Sequence, residues 1–179
     1  MTIYEKALEV QPFVQNCRHT IHRWPELGME EFRTTDFICE KLDEMGIPYR
    51  RLEPTGCIAE IKGNQSGKIV ALRADIDALQ MNEINDLPFR SERPGYMHGC
   101  GHDTHTAMLL GAAKVLNMMR EEINGTVRLI FQPSEENGLG SQVVVDQGGM
   151  EGVSACFGEH VFGGTGEKVG VVHYKKGGL

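Results

Sequence analysis

The sequence predicts a layered α/β domain with a largely parallel central sheet, and three observations carry that reading. Residues 68–74 and 126–131 are nearly continuous apolar runs, the pattern of strands covered on both faces. Segments with helical apolar spacing alternate with strand-like runs along most of the chain, a succession that builds parallel pairs. No internal repeat, low-complexity tract or long linker divides the 179 residues, so one domain is expected.

The elements follow in order. Residues 3–23 carry apolar side chains at 3, 7, 8, 10, 13, 14, 17 and 21, a helical period that Trp24-Pro25 ends. His19 and His22 share a face of this helix. They are read as packed or solvent-facing rather than as metal ligands, because no cysteine or acid accompanies them in the sequence. A second helix is expected over 30–45, with Phe32, Phe37, Ile38, Leu42 and Met45 on its core side and Gly46 as its stop. Residues 47–52 and 57–61 read as strands flanking a Pro54-Thr55-Gly56 turn, and 68–74 as a central strand. A third helix is expected over 104–122, a strand over 126–131 and a short helix over 141–147. Strands at 153–157 and 168–174 complete the series.

Composition narrows the function classes. The apolar fraction of 40% and charged fraction of 24% are those of a folded globular chain. A net charge of -7, with both signs interspersed, argues against nucleic acid or an anionic membrane as partner. No apolar run reaches bilayer length and residues 1–6 begin no secretory leader, so a cytoplasmic protein is expected. Five cysteines without a framework spacing are expected to be reduced thiols.

The chemistry concentrates in residues 97–106, Met-His-Gly-Cys-Gly-His-Asp-Thr-His-Thr. Here Cys100, His102, Asp103 and His105 crowd a glycine-rich turn at the start of a helix. Thiolate, imidazole and carboxylate together form the donor set of a borderline-soft transition metal. Asp103 or Thr104 is expected to cap the helix. Three more polar clusters stand just beyond predicted strands: Asp75 and Asp77, Glu135 and Glu136, and His160. In an open α/β sheet ligands collect outside the carboxyl ends of the strands, so these clusters are expected to converge with the Cys100 turn.

Residues 73–79 (Arg-Ala-Asp-Ile-Asp-Ala-Leu), 97–106, 131–136 (Phe-Gln-Pro-Ser-Glu-Glu) and 157–161 (Phe-Gly-Glu-His-Val) resemble, in order and approximate spacing, the M20 metallopeptidase family. The resemblance is closest to its amidohydrolase branch, which holds N-acyl-amino-acid amidohydrolases, hippurate hydrolases and auxin-conjugate hydrolases. It implies a site for two divalent metal ions, with zinc, manganese, cobalt and nickel all suited to the donors. By the resemblance Cys100, His102, Glu136 and His160 are metal ligands and Glu135 is the general base. Asp75, Asp77, Asp103 and His105 support them. The implied activity is hydrolysis of the amide bond of a small N-acyl amino acid by a metal-activated water. The resemblance further implies that residues 1–179 are the N-terminal part of a catalytic domain. A lid or dimerisation domain and a C-terminal return bearing a last histidine ligand then lie outside them. Sheet edge and core face left uncovered in this way favour self-association, so a homo-oligomer is expected.

Two other readings remain at this point. Cys100 could be a nucleophile with His102 or His105 as its base, which would leave Glu135, Glu136 and His160 idle. Alternatively the chain could be a metal-binding or interaction remnant without chemistry.

Overall fold

In the computed structural model, which describes residues 2–163 and 170–173, nine α-helices and β-strands follow one another among the described residues. They are α1 (Ile3–Arg23), α2 (Phe32–Glu44), β1 (Tyr49–Arg51), β2 (Cys57–Lys62), β3 (Gln65–Asp75), α3 (His102–Met118), β4 (Asn124–Gln132), α4 (Gly140–Asp146) and β5 (Val153–Gly158). A capping box starts α1: the Thr2 hydroxyl accepts from the Glu5 amide, and the Glu5 carboxylate accepts from the Thr2 amide.

The sheet runs in the order β1-β2-β4-β3-β5. Its parallel part is β4-β3-β5, whereas β1 on β2 and β2 on β4 are antiparallel. The turn at Pro54-Thr55-Gly56 is too short for the crossover that parallel neighbours require, which sets β1 against β2. Two residues between β2 and β3 reverse the chain again, so β4, parallel to β3, lies antiparallel to β2. Alternation along the strands divides the core into two layers. Cys57, Ala59, Ile61, Leu129 and Phe131 face Cys17 of α1, Ile38 and Leu42 of α2, and Ala107, Leu110 and Ala113 of α3. Ile58, Ala71 and Ile130 point the other way, to Leu52 and to Val144 of α4. The layered α/β/α expectation is thereby met. The continuous run in β4 is explained by burial of Leu129, Ile130 and Phe131 alike. Leu110 is fully buried at the centre of the larger layer. Leu110→Ala is expected to cost about 2–5 kcal/mol, read as a lower urea midpoint at unchanged slope.

Several expectations change in detail. Phe32 opens α2 and is 57% exposed rather than facing the core. α3 begins at His102, two residues before the expected start, and ends at Met118, with a separate 3-10 turn at Arg120–Glu122. Its N-cap is Gly101 in the left-handed region (φ 88°), so neither Asp103 nor Thr104 caps it; both lie inside the first turn. Of the strand expected over 168–174, residues 168, 169 and 174 lie outside the described residues. Gly170 occupies a turn and 171–173 join no strand. No described helix is long and apolar enough to cross a membrane.

Candidate metal centre

The three parallel strands end side by side, with Asp75 opposite Gln132 and Arg73 opposite Gly158. The segments that follow them therefore emerge together, carrying Asp75 and Asp77, Glu135 and Glu136, and His160. The first turn of α3 enters the same crevice with Cys100 just ahead of it. Gly101 is required there twice over: its φ is positive, and a Cβ would lie 2.4 Å from Cγ2 of Val161.

His102 is the centre of the cluster. Its Nδ1 lies 2.9 Å from the Asp77 carbonyl and 3.2 Å from Asp77 Oδ1. Both are acceptors, so Nδ1 carries the proton and Nε2 keeps its lone pair. That Nε2 is buried without a hydrogen-bond partner. Around it stand carboxylate oxygens of Asp75 at 3.7 Å, Glu135 at 3.8 Å and Glu136 at 3.7 Å, too far for hydrogen bonds. Asp77 in turn accepts from the Glu136 amide at 3.0 Å, which fixes the Glu135-Glu136 turn against the imidazole it orients.

His160 is set up the same way. Its Nδ1 donates to the Val161 carbonyl at 2.7 Å, leaving Nε2 to face Cys100 Sγ at 3.2 Å. Cys100, His102 and His160 each offer one donor atom within 4.8 Å of the others, as do His102, Glu135 and Glu136. Asp75, His102 and His105 meet the same distance test, but His105 is already engaged. Its Nδ1 donates to Asp75 at 2.6 Å and its Nε2 accepts from the Val161 amide at 2.9 Å. His105 thus braces the segment that carries His160.

Electrostatics fits a cation. Burial opposes ionisation of Asp75, but His105, His102 and Arg73 together hold its carboxyl below the usual value. Asp77 is lowered likewise, with His102 and the amides of Glu136 and Glu135 outweighing burial. Burial disfavours protonation of His102, yet Asp77, Asp75 and Glu136 raise its pKa overall. Burial and then Glu136, Glu135 and Asp75 push the Cys100 thiol up to about 11. A nucleophilic cysteine needs a depressed pKa, so this environment speaks against the Cys100 nucleophile. Three carboxylates around an orphaned imidazole nitrogen, with a fourth on the other ring nitrogen, form a site short of positive charge, and divalent ions suit that donor set.

Residues outside the expected set also hold the site. Glu31, fully buried, accepts from the Ser134 amide at 2.7 Å and the Thr55 hydroxyl at 2.5 Å, pinning the turn that carries Glu135 and Glu136. Asp103 turns away from the crevice toward His22 at 2.8 Å and Arg18 at 3.1 Å. His22 is packed, as expected, but acids do accompany it in space: Asp103 and Glu83. His98 is buried with both ring nitrogens unpartnered, and burial pushes its pKa down to about 4.

The sequence pattern of peptidase family M20/M25/M40 matches residues 71–177, which include Asp75, Asp77, Cys100, His102, His105, Glu135, Glu136 and His160. The chain belongs to this family. Among its M20 relatives, N-acetylcysteine deacetylase of Bacillus subtilis (strain 168) is 47% identical over 150 residues, covering 81% of this chain and 39% of the relative. N-acyl-L-amino acid amidohydrolase of Geobacillus stearothermophilus is 40% identical over 168 residues, covering 92% of this chain and 45% of the relative. Among solved structures, the YXEP protein of Bacillus subtilis is described as a dinuclear metal binding peptidase from the M20 family. It matches with a TM-score of 0.81 at 47% identity, covering 83% of this chain and 42% of that one. The chain thus spans about two fifths of the length of the curated M20 relatives it matches.

Proposed function

We propose that this chain carries the greater part of a two-metal amidohydrolase site that cleaves the amide bond of N-acyl amino acids. The observation that carries the reading is the buried, partnerless Nε2 of His102, facing carboxylates at 3.7–3.8 Å with its tautomer fixed by Asp77. In this reading Cys100, His102, Glu136 and His160 hold the metals. Asp77 orients His102, Asp75 orients His105, and His105 steadies the His160 segment. Asp103 supports the first turn of α3 from behind. Bound divalent ions supply the positive charge that polarises an amide carbonyl and acidifies water. Glu135, with a side chain 42% exposed against 27% for Glu136, stands toward the open side and takes the proton of the attacking water. It then returns that proton to the leaving amine nitrogen.

The substrate class draws on relatives named for N-acetylcysteine and N-acyl-L-amino acids. The N-terminal position within a longer catalytic domain, the homo-oligomeric state and the cytoplasmic location belong to the same reading. Exposure of Phe157 on the edge strand β5 supports self-association.

Metal content after incubation with manganese or zinc tests the proposal, with Cys100→Ser and Glu136→Ala measured beside the wild type. Stoichiometric metal in the wild type, lost in both variants, is expected, together with hydrolysis of N-acetyl amino acids by the loaded chain. Equal metal in all three would sink the ligand assignment. Metal without hydrolysis would leave the chain a metal-binding remnant.

A further inference from the structure

We propose that His22 is a positioning residue for the metal centre, tying the segment 76–101 to the first turn of α3 and so fixing the spacing of Cys100 and His102. The inference rests on the metal-centre reading above and extends it to a residue outside the crevice. Segment 76–101 carries Asp77 near one end and Cys100 near the other. It contains no helix or strand, only an isolated bridge between Leu79 and Met97 with hydrogen bonds of 3.0 Å in both directions. Regular structure therefore does not hold it, and it drapes over the C-terminal half of α1 instead. The Phe89 ring stacks on His19 at 3.8 Å and meets His22 edge-on at 5.5 Å. The Glu92 amide donates to the Arg23 carbonyl at 2.9 Å.

At the centre of this contact Glu83 turns inward, 8% exposed, and accepts from the Ser91 amide at 2.6 Å. Its other oxygen meets His22 Nε2 at 3.1 Å, and His22 Nδ1 meets Asp103 at 2.8 Å. Ionised carboxylates only accept, so both ring nitrogens donate and His22 is an imidazolium. Glu83 belongs to the draped segment, Asp103 directly follows His102, and the ring bridges them. The other charged or titratable groups around the ring are Arg18, which shares the same oxygen of Asp103, Arg23 and His19 on α1, and His98 at 6.2 Å between ring centroids. A packing role needs only the ring's bulk, whereas a tether needs its two donors and its charge.

Three measurements on the whole chain test the tether: amide exchange at Ser91 and Met97 without metal, NMR titration of the His22 ring, and manganese or zinc affinity. Glu83→Gln, a conservative change in a loop, should speed exchange at Ser91, lower the ring pKa and weaken metal binding about tenfold. His22→Leu should have the same effect on exchange and affinity, and Glu83→Gln added to it should cost nothing further. Wild-type exchange and affinity in Glu83→Gln, or independent losses that add in the double variant, would overturn the proposal. Should His22→Leu fail to fold, Glu83→Gln still decides. A wild type that binds no metal would overturn the metal-centre reading instead, and exchange and titration would then still decide whether the ring ties the segment to α3.

Discussion

Glu135→Gln is expected to leave the metal content of the chain unchanged and to lower its hydrolysis of an N-acyl amino acid about 10²–10⁴-fold. The amide keeps the shape and hydrogen-bonding length of the carboxylate but cannot take up a proton. Glu135 and Glu136 are neighbours in sequence and nearly equidistant from His102 Nε2, at 3.8 and 3.7 Å, so distance alone does not divide their roles. Their surroundings do. The Glu135 side chain is 42% exposed and that of Glu136 27%, so Glu135 stays more open to solvent. The variants should separate along that line: Glu136→Ala loses metal, and Glu135→Gln loses turnover while keeping it. Metal analysis alongside the turnover rate of the loaded chain reads both. A Glu135→Gln variant that turns over at the wild-type rate would remove Glu135 as the base.

Gly140→Ala should be the most damaging single methyl group added near the site. A Cβ at Gly140 would sit 1.5 Å from the Pro133 carbonyl oxygen and 2.6 Å from its carbon, and backbone cannot swing aside as a side chain can. The Gly140 amide also donates to the Ser134 carbonyl at 3.0 Å, so the start of α4 is fastened to the turn that the methyl group would push away. The expected loss is about 3 kcal/mol, the upper end for overpacking, seen as a lower urea midpoint. Metal content should fall with it, because the displaced turn carries Glu135 and Glu136. Gly138→Ala provides the contrast. Nothing lies within 4 Å of its Cβ, so only the positive φ of 75° is strained, at about 1–2 kcal/mol. Equal effects from the two changes would mean that the turn yields at the Pro133 backbone.

The layers and the clustering at strand ends were legible because both have local signals. Burial of 129–131 on both faces shows as an apolar run, and polar residues directly after such runs must fall at one edge of a parallel sheet. The order β1-β2-β4-β3-β5 was not legible, since β4 enters between β2 and β3 after a long excursion through α3. The start of α3 was misjudged because Asp103 fits the usual capping preference, while the left-handed Gly101 begins the helix earlier and frees Asp103 for His22. Reading His19 and His22 as lacking acids failed for a different reason: Glu83 and Asp103 stand 61 and 81 positions away from His22 and meet it only in three dimensions. The role of Glu31 was hidden likewise, as the amide it holds is 103 positions further on.

The pairing of β5 with β3 bears on the order in which the molecule is made. Cys100 and His160 touch across 60 positions of chain, and their contact waits for β5 to find β3, an association between distant segments that closes slowly. Asp75, Asp77 and the His102 turn can meet earlier, across 25 to 31 positions. On loop length alone, the Cys100–His160 contact is costlier to close than the contacts of Asp75 and Asp77 with the His102 turn. Cys100 is therefore expected to be more open to oxidants during refolding than in the folded chain, where His160 stands beside it.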